Sequence, residues 1–398
     1  MKIVIYCLAI LFIAVLDQTP TFAQQENAAG TSEANSYNLP DGLYSEITTP
    51  KGVIVCELYF KQTPMTVANY VGLAEGTLGP EPRKPYYDGS PYHRIVPGFV
   101  VQGGGRPRGS GGRLGYQFPD EFVPGLRHDS IGVMQMANGG PGTNGSQHCL
   151  MLGPAQRLNY LHTVFGRVVR GIEVLPKIEV NDTMQVKILR IGNDAQAFKA
   201  DDETFKALVA QAKTNEGPHE PGPETHFHDS DALLPTTPQR TLHFNQKLSN
   251  FEKFTGQRII ARLFAKSPAE AEGDKLDGYL NALAEKMNVA KAGALVVYFA
   301  DQDKWHVRIG PESAATFIAG PRGTDGRKPP AVAGKTLTDA TREFLAAAQG
   351  QGNKLIEVAE QAPSPNDSVA ANQKLKLRLD AVLDELIFRL EPAAPPVN

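Results

Sequence analysis

Between Thr214 and His228 the chain sets Pro218, Pro221, Gly222 and Pro223 among polar residues, and the apolar pattern differs on its two sides. Proline and glycine at this density favour extended backbone with little to bury, so one core is not expected to run through the stretch. A length of 398 residues fits that division, being more than a single compact core usually needs. From Tyr44 to about Phe198 short β-type runs are punctuated by glycines, and beyond Asp229 strands alternate with helices. The expected organisation is a disordered lead-in at 24–43, a first domain at 44–198, a helix and linker at 199–228, an α/β domain at 229–350, and a linker with a C-terminal amphipathic helix at 351–398.

Forty basic side chains against forty-three acidic ones, a formal charge of -3, argue against a nucleic-acid binder, which needs a basic face to displace counterions. At the N-terminus, Lys2 precedes the apolar run Ile3 to Leu16, and Thr21-Phe22-Ala23 supplies small residues before Gln24. That order describes a secretory signal peptide over 1–23, cut near Ala23, and predicts a periplasmic or secreted protein. No other apolar run reaches the ~18 residues of a membrane helix, so no span is expected in the mature chain. The mature chain keeps Cys56 and Cys149, and sequence leaves open whether they pair.

In the first half, Gly52 to Phe60 reads as a strand. Thr63-Pro64 then opens a helix carrying Val67, Tyr70, Val71 and Ala74 on one face. Many short strands and few helices predict a closed β-barrel. In the second half, Thr237-Pro238 and Gly256 bracket a helix with Phe244, Leu248, Phe251 and Phe254 at helical spacing. Arg258–Ala265, Ala294–Ala300 and Lys304–Ile309 read as strands, and Leu276–Met287 and Gln373–Leu390 as helices.

Three segments concentrate the chemistry. Tyr92 to Gly104 places Arg94, Phe99 and Gln102 where they would line one concave surface with a cation, an apolar wall and an amide. Met136 to Gln147 is glycine-rich and holds Asn138 and Gln147, and Leu158 to Gly166 holds His162. None has a nucleophile beside its base or metal-ligand spacing; Ser146 lacks the Gly-x-Ser-x-Gly elbow, and Gly109 to Gly115 lacks the Gly-Lys-Ser/Thr of a phosphate loop. The residues alone leave a ligand-binding barrel and a plain structural barrel both open.

In this order and at these separations, the three segments resemble a cyclophilin-type peptidyl-prolyl isomerase, and Gly115 to Phe122 with Arg127-His128-Asp129 resembles its bacterial branch. The resemblance covers about 44–193 and implies an eight-stranded antiparallel barrel closed at both ends by helices. It implies proline-containing polypeptides as partners, and no cofactor, because no covalent bond is broken. Arg94 is then the catalytic donor. Phe99, Val100, Gln102, Ala137, Asn138, Gln147, Cys149, Leu158 and His162 are then the substrate-binding residues. Two positions depart from the family. Cys149 stands where an aromatic usually floors the proline pocket, which predicts a looser grip on the ring, and Arg157 stands where many members have tryptophan, which bears on cyclosporin-type inhibitors. The looser grip motivates an alternative, a low-turnover proline-peptide binding or chaperone module.

Asp229 to Pro235, Gln257 to Phe264 and Ala294 to Ile309 resemble the TPM-domain family over roughly 229–350, implying an α/β three-layer sandwich. Phosphatase activity or calcium binding has been proposed for some members, giving a further alternative in which the barrel is accessory. Gly310-Pro311-Glu312-Ser313 replaces that family's usual glycine-tyrosine-glycine run. His219, Glu220, Glu224, His226, His228, Asp229 and Asp231 cluster in the linker and are expected to be solvated, with no metal bound.

Overall fold

The computed structural model describes residues 37–105, 114–213, 220–235, 240–269, 273–321, 334–361 and 369–392. The expected signal peptide, Thr237-Pro238, His219 and the glycines at 109–112 lie outside them. The lead-in expected up to residue 43 is ordered over its described part: Tyr37 and Leu39 pack against Tyr44, Val55 and Leu189. Among the described residues no helix is long and apolar enough to cross a membrane.

Nine strands make the first sheet: β1 (Gly42–Thr49), β2 (Gly52–Leu58), β3 (Ser90–Pro91), β4 (Arg94–Val96), β5 (Val100–Gly103), β6 (Val133–Met136), β7 (His148–Met151), β8 (Val164–Arg170) and β9 (Thr183–Ile191). Their order is β3-β9-β1-β2-β8-β6-β7-β5-β4, antiparallel throughout. The expected closed eight-stranded barrel is thus corrected to a nine-stranded half-barrel whose terminal strands, β3 and β4, are not paired with each other. The cause lies at Tyr92 and His93, where one stretch changes partner. The Tyr92 N–H donates to the carbonyl of Asp182 at 2.8 Å, and that of His93 to Gln102 at 3.1 Å.

Helix α1 (Pro64–Glu75) starts with proline in its first turn and ends on Gly76, whose φ of 74° suits a left-handed cap. One apolar face is expected, yet every residue from Met65 to Ala74 is buried. The helix lies between the sheet and α3 (Asp202–Gln211), which follows the short α2 (Asn193–Ala197). Its polar groups find partners on two loops: the Glu121 carboxylate accepts from Thr66, and Asn69 donates to the Gly145 carbonyl.

The second sheet has the order β10 (Phe227–Asp229), β11 (Ile259–Phe264), β12 (Ala294–Phe299), β13 (Lys304–Ile309). The first three strands are parallel and β13 is antiparallel. Around it run α4 (Arg240–Thr255), α5 (Leu276–Lys286), α6 (Pro311–Ala319), α7 (Leu337–Gln361) and α8 (Ala371–Leu390). Side chains alternate across the strands. Ala261, Leu263, Val296 and Tyr298 meet apolar residues of α4, α6, α7 and α8, whereas Ile260, Leu295, Val297 and Phe299 meet α5. Helices therefore cover both faces.

Three boundaries shift. The expected linker includes β10, because the buried Arg262 on β11 donates to the carbonyls of Pro223, Thr225 and His226 and sews that stretch to the sheet. The break expected at 350 falls inside α7. Helix α8 is no appendage, since Leu379, Leu383, Leu386 and Ile387 sit in the same core as Phe251 and Phe344.

The two units share that core, which takes in Phe122 and Tyr160 from the barrel side. Beside them the buried Glu391, just past α8, is held by the Arg127 guanidinium and by the Tyr160 hydroxyl at 2.6 Å. The Asn250 amide donates to the Tyr160 carbonyl at 2.7 Å, and Arg127 lies 4.3 Å from the centre of the Phe388 ring.

Candidate active site

Arg94 on β4 stands opposite Gln102 on β5, which stands opposite Cys149 on β7. This register builds a line of polar side chains across the sheet. Arg94 Nη1 donates to Gln102 Oε1 at 3.1 Å, and Gln102 Nε2 donates to Gln147 Oε1 at 2.9 Å. The amide of Gln102 is thereby fixed in orientation, and its oxygen aims the guanidinium. Glycines let the backbone pass close behind: a Cβ on Gly104, whose φ is +77°, would lie 2.7 Å from the Ser146 carbonyl oxygen.

On one side of this line is a cavity of about 600 Å³ whose lining includes Arg94, Phe99, Asn138, Leu158 and His162. Arg157 stacks over Phe99 with its guanidinium carbon 4.5 Å from the ring centre. His162 accepts no proton from its neighbour: its Nδ1 faces the Met136 carbonyl at 3.1 Å, which requires the tautomer protonated on Nδ1. Burial, with smaller contributions from His243 and Arg157, pushes the His162 pKa down to about 4 against the pull of that carbonyl, so the ring is neutral near pH 7.

On the other side, Gln102, Ala137, Asn138 and Gln147 line a second, more open cleft, and Asn138 with Gly139 borders both. Asn138 is held by donation to the Leu161 carbonyl at 2.9 Å and to Asp120 at 3.2 Å. Asp120 also accepts from Asn144 and from the Gly142 N–H, so one buried carboxylate organises the glycine-rich loop. Sequence reasoning missed this role, although Asp120 lies within the Gly115 to Phe122 segment.

Val100 and Cys149 are buried beneath the site, in a cluster with Met151, Phe99 and Leu158, and neither lines the cavity. Val100 and Cys149, expected to touch substrate, pack against Phe99 and Leu158. Both Cys149 and Cys56 are free, in different clusters, and burial raises each thiol to about 12. In the second unit, the Asp229 carboxylate accepts from the Leu233 and Leu234 N–H groups, Asp231 accepts from Ala265, and His226 pairs with Glu252.

Residues 44–193 match the family described as "Cyclophilin type peptidyl-prolyl cis-trans isomerase/CLD". The mouse protein named peptidyl-prolyl cis-trans isomerase-like 1 is 42% identical over 147 residues, which are 36% of this chain and 82% of that protein. The chain belongs to the cyclophilin-type peptidyl-prolyl cis-trans isomerases. Peptidyl-prolyl cis-trans isomerase A of Mycobacterium tuberculosis is 46% identical over 142 residues, covering 32% of this chain and 78% of the relative. A crystal structure of a cyclophilin-type isomerase of Cryptosporidium parvum, in the presence of the dipeptide ala-pro, is 28% identical with a TM-score of 0.32, and covers 38% of this chain and 99% of its own. This cyclophilin is an isomerase that carries a further α/β unit, which those similarities do not reach.

Proposed function

We propose that this cyclophilin isomerises X–Pro bonds of proteins outside the cytoplasm and so assists the folding of exported chains. The hydrogen-bonded line Arg94–Gln102–Gln147 along the edge of a partly apolar cavity carries that reading. Rotation about an amide C–N bond meets a barrier of ~18–20 kcal/mol because conjugation must be lost. At the twisted state the proline nitrogen regains a lone pair, and an arginine already held in place donates to it without reorganising. Phe99, Leu158 and His162 grip the ring, while Gln102, Asn138 and Gln147 hold the peptide backbone. A neutral His162 suits this role, since an uncharged imidazole can face the proline ring without a charge to desolvate.

The export assignment rests on Lys2, the apolar run Ile3 to Leu16 and Ala23. A TPM-like identity for the second unit rests on Asp229 to Pro235, Gln257 to Phe264 and Ala294 to Ile309. Cys149 is buried in the cluster that includes the cavity residues Phe99 and Leu158, so the low-turnover binding reading that it motivates is tested by Cys149→Phe. In a proline-isomerisation assay on a tetrapeptide, Arg94→Ala should lower kcat/KM at least ~100-fold, because one preorganised donor is typically worth that much. An unchanged rate with unaltered circular dichroism removes Arg94 from the reaction.

A further inference from the structure

The cavity holding Phe99, Leu158 and His162 is not built by the barrel alone. His243, Gln246 and Lys247 of α4, with Lys376 and Asp380 of α8, form part of its wall. Among the described residues, the adjoining cleft at Gln102 and Gln147 is lined by the barrel alone. A chain lying across Asn138 and Gly139 therefore has one flank against the barrel and the other against the second unit.

That wall is charged where a simple interface would be apolar. Lys247 pairs with Asp384 and Lys376 with Asp380, and all four are buried. Well-packed apolar residues are often as stable as such pairs or more so, so packing alone does not explain them. Each pair is neutral in itself, and the barrel adds Arg94 and Arg157 to the same cavity, so four cations stand there against two carboxylates. Walls on both sides displace water, and a lower effective dielectric strengthens attraction between these cations and an incoming anion.

We propose that the composite wall selects substrates carrying a carboxylate side chain next to the proline, with Lys376, Asp380 and His243 as specificity-determining residues of the second unit. This rests on the reading of the cavity as the X–Pro site, and it makes the α/β unit part of the substrate groove.

The test uses the full chain and fluorescein-labelled peptides in which glutamate, alanine or lysine flanks an Ala-Pro pair, with affinity read by anisotropy and turnover read separately. The glutamate peptide should bind at least ~5-fold more tightly than the lysine peptide at low salt, and the ratio should shrink as salt rises. Lys376→Met should narrow the ratio and Asp380→Asn should widen it. Mere damage to the wall moves both variants the same way. Should either variant fail to fold, His243→Glu on the exposed rim should narrow the ratio on its own. Equal affinities for the three peptides, or same-direction shifts in the paired variants, overturn the selection. Absence of turnover on every peptide counts against the X–Pro reading instead, while the affinity order still decides the wall.

Discussion

The cavity has two sides made by different means. On the barrel side, hydrogen bonds run from Arg94 to Gln102 and on to Gln147, and separately from Asn138 to Asp120, with amides at most of the positions. On the α/β side, Lys247, Asp384, Lys376 and Asp380 stand as buried ion pairs on two helices. Amides hold a geometry at small desolvation cost, whereas ion pairs hold a field and cost more to bury. The difference matches a division of labour in which one side aims donors at the reacting bond and the other reads charge.

Acid should separate the two units most strongly. In the barrel, burial pushes His128, His148 and His162 down to about 4, below the ~6.5 of an unfolded histidine. The unfolded chain then binds more protons, so the barrel has its full stability above pH ~6.5 and loses it as pH falls toward 4, by up to about 3 kcal/mol for each of the fully buried His128 and His148. In the α/β unit burial raises Asp384 and Glu385, an opposite contribution over the range in which carboxylates titrate, as it raises Glu121 in the barrel; His228 and His306 of the α/β unit are lowered too but are only half-buried, so the separation rests on the deeply buried barrel histidines. The single tryptophan, Trp305, lies in β13 and packs 4.6 Å from Tyr298, so its fluorescence reports that unit alone. Circular dichroism at pH 4–5 should show loss of sheet before the tryptophan signal moves, and simultaneous loss would mean the units do not melt separately.

Next in size is Lys247→Met, which strands Asp384 and should cost ~3–5 kcal/mol in urea unfolding, with most of it restored by adding Asp384→Leu. If the double variant remains as unstable as the single, the pair is not what the wall depends on. On the barrel side Asp120→Ala releases the glycine-rich loop, and should cost ~2–3 kcal/mol and about tenfold in kcat/KM through Asn138. Smallest is Cys149→Phe, which overfills a packed cluster and should cost ~1–3 kcal/mol without raising turnover. A several-fold faster Phe variant would show that the pocket floor is underpacked after all.

Much of this was legible in the sequence. Continuous apolar runs placed β11 and β12, and helical spacing α4, α5 and α8, to within a few residues, because strands covered on both faces are apolar throughout while these helices bury a stripe. The motif segments led to Arg94, Gln102, Asn138, Gln147 and His162, which the structure brings to one site. What spacing cannot carry is who covers whom. The all-round burial of α1 depends on α3, far along the chain, and the partners of Asp120 come from a separate loop. Nothing in the pattern of α8 announces that Lys376 and Asp380 border a cavity of the other unit, since i and i+4 charges usually mark a solvated face.

The clamp at Glu391 has a consequence for the order of events during synthesis. Domains tend to fold from the N-terminus as a chain emerges. The barrel is therefore complete while the whole α/β unit is still to be made, and the last described helix must arrive before Arg127 and Tyr160 find their carboxylate. A nascent barrel is an unwalled enzyme; it acquires its second wall, and its selectivity, only once α4 and α8 have docked against it.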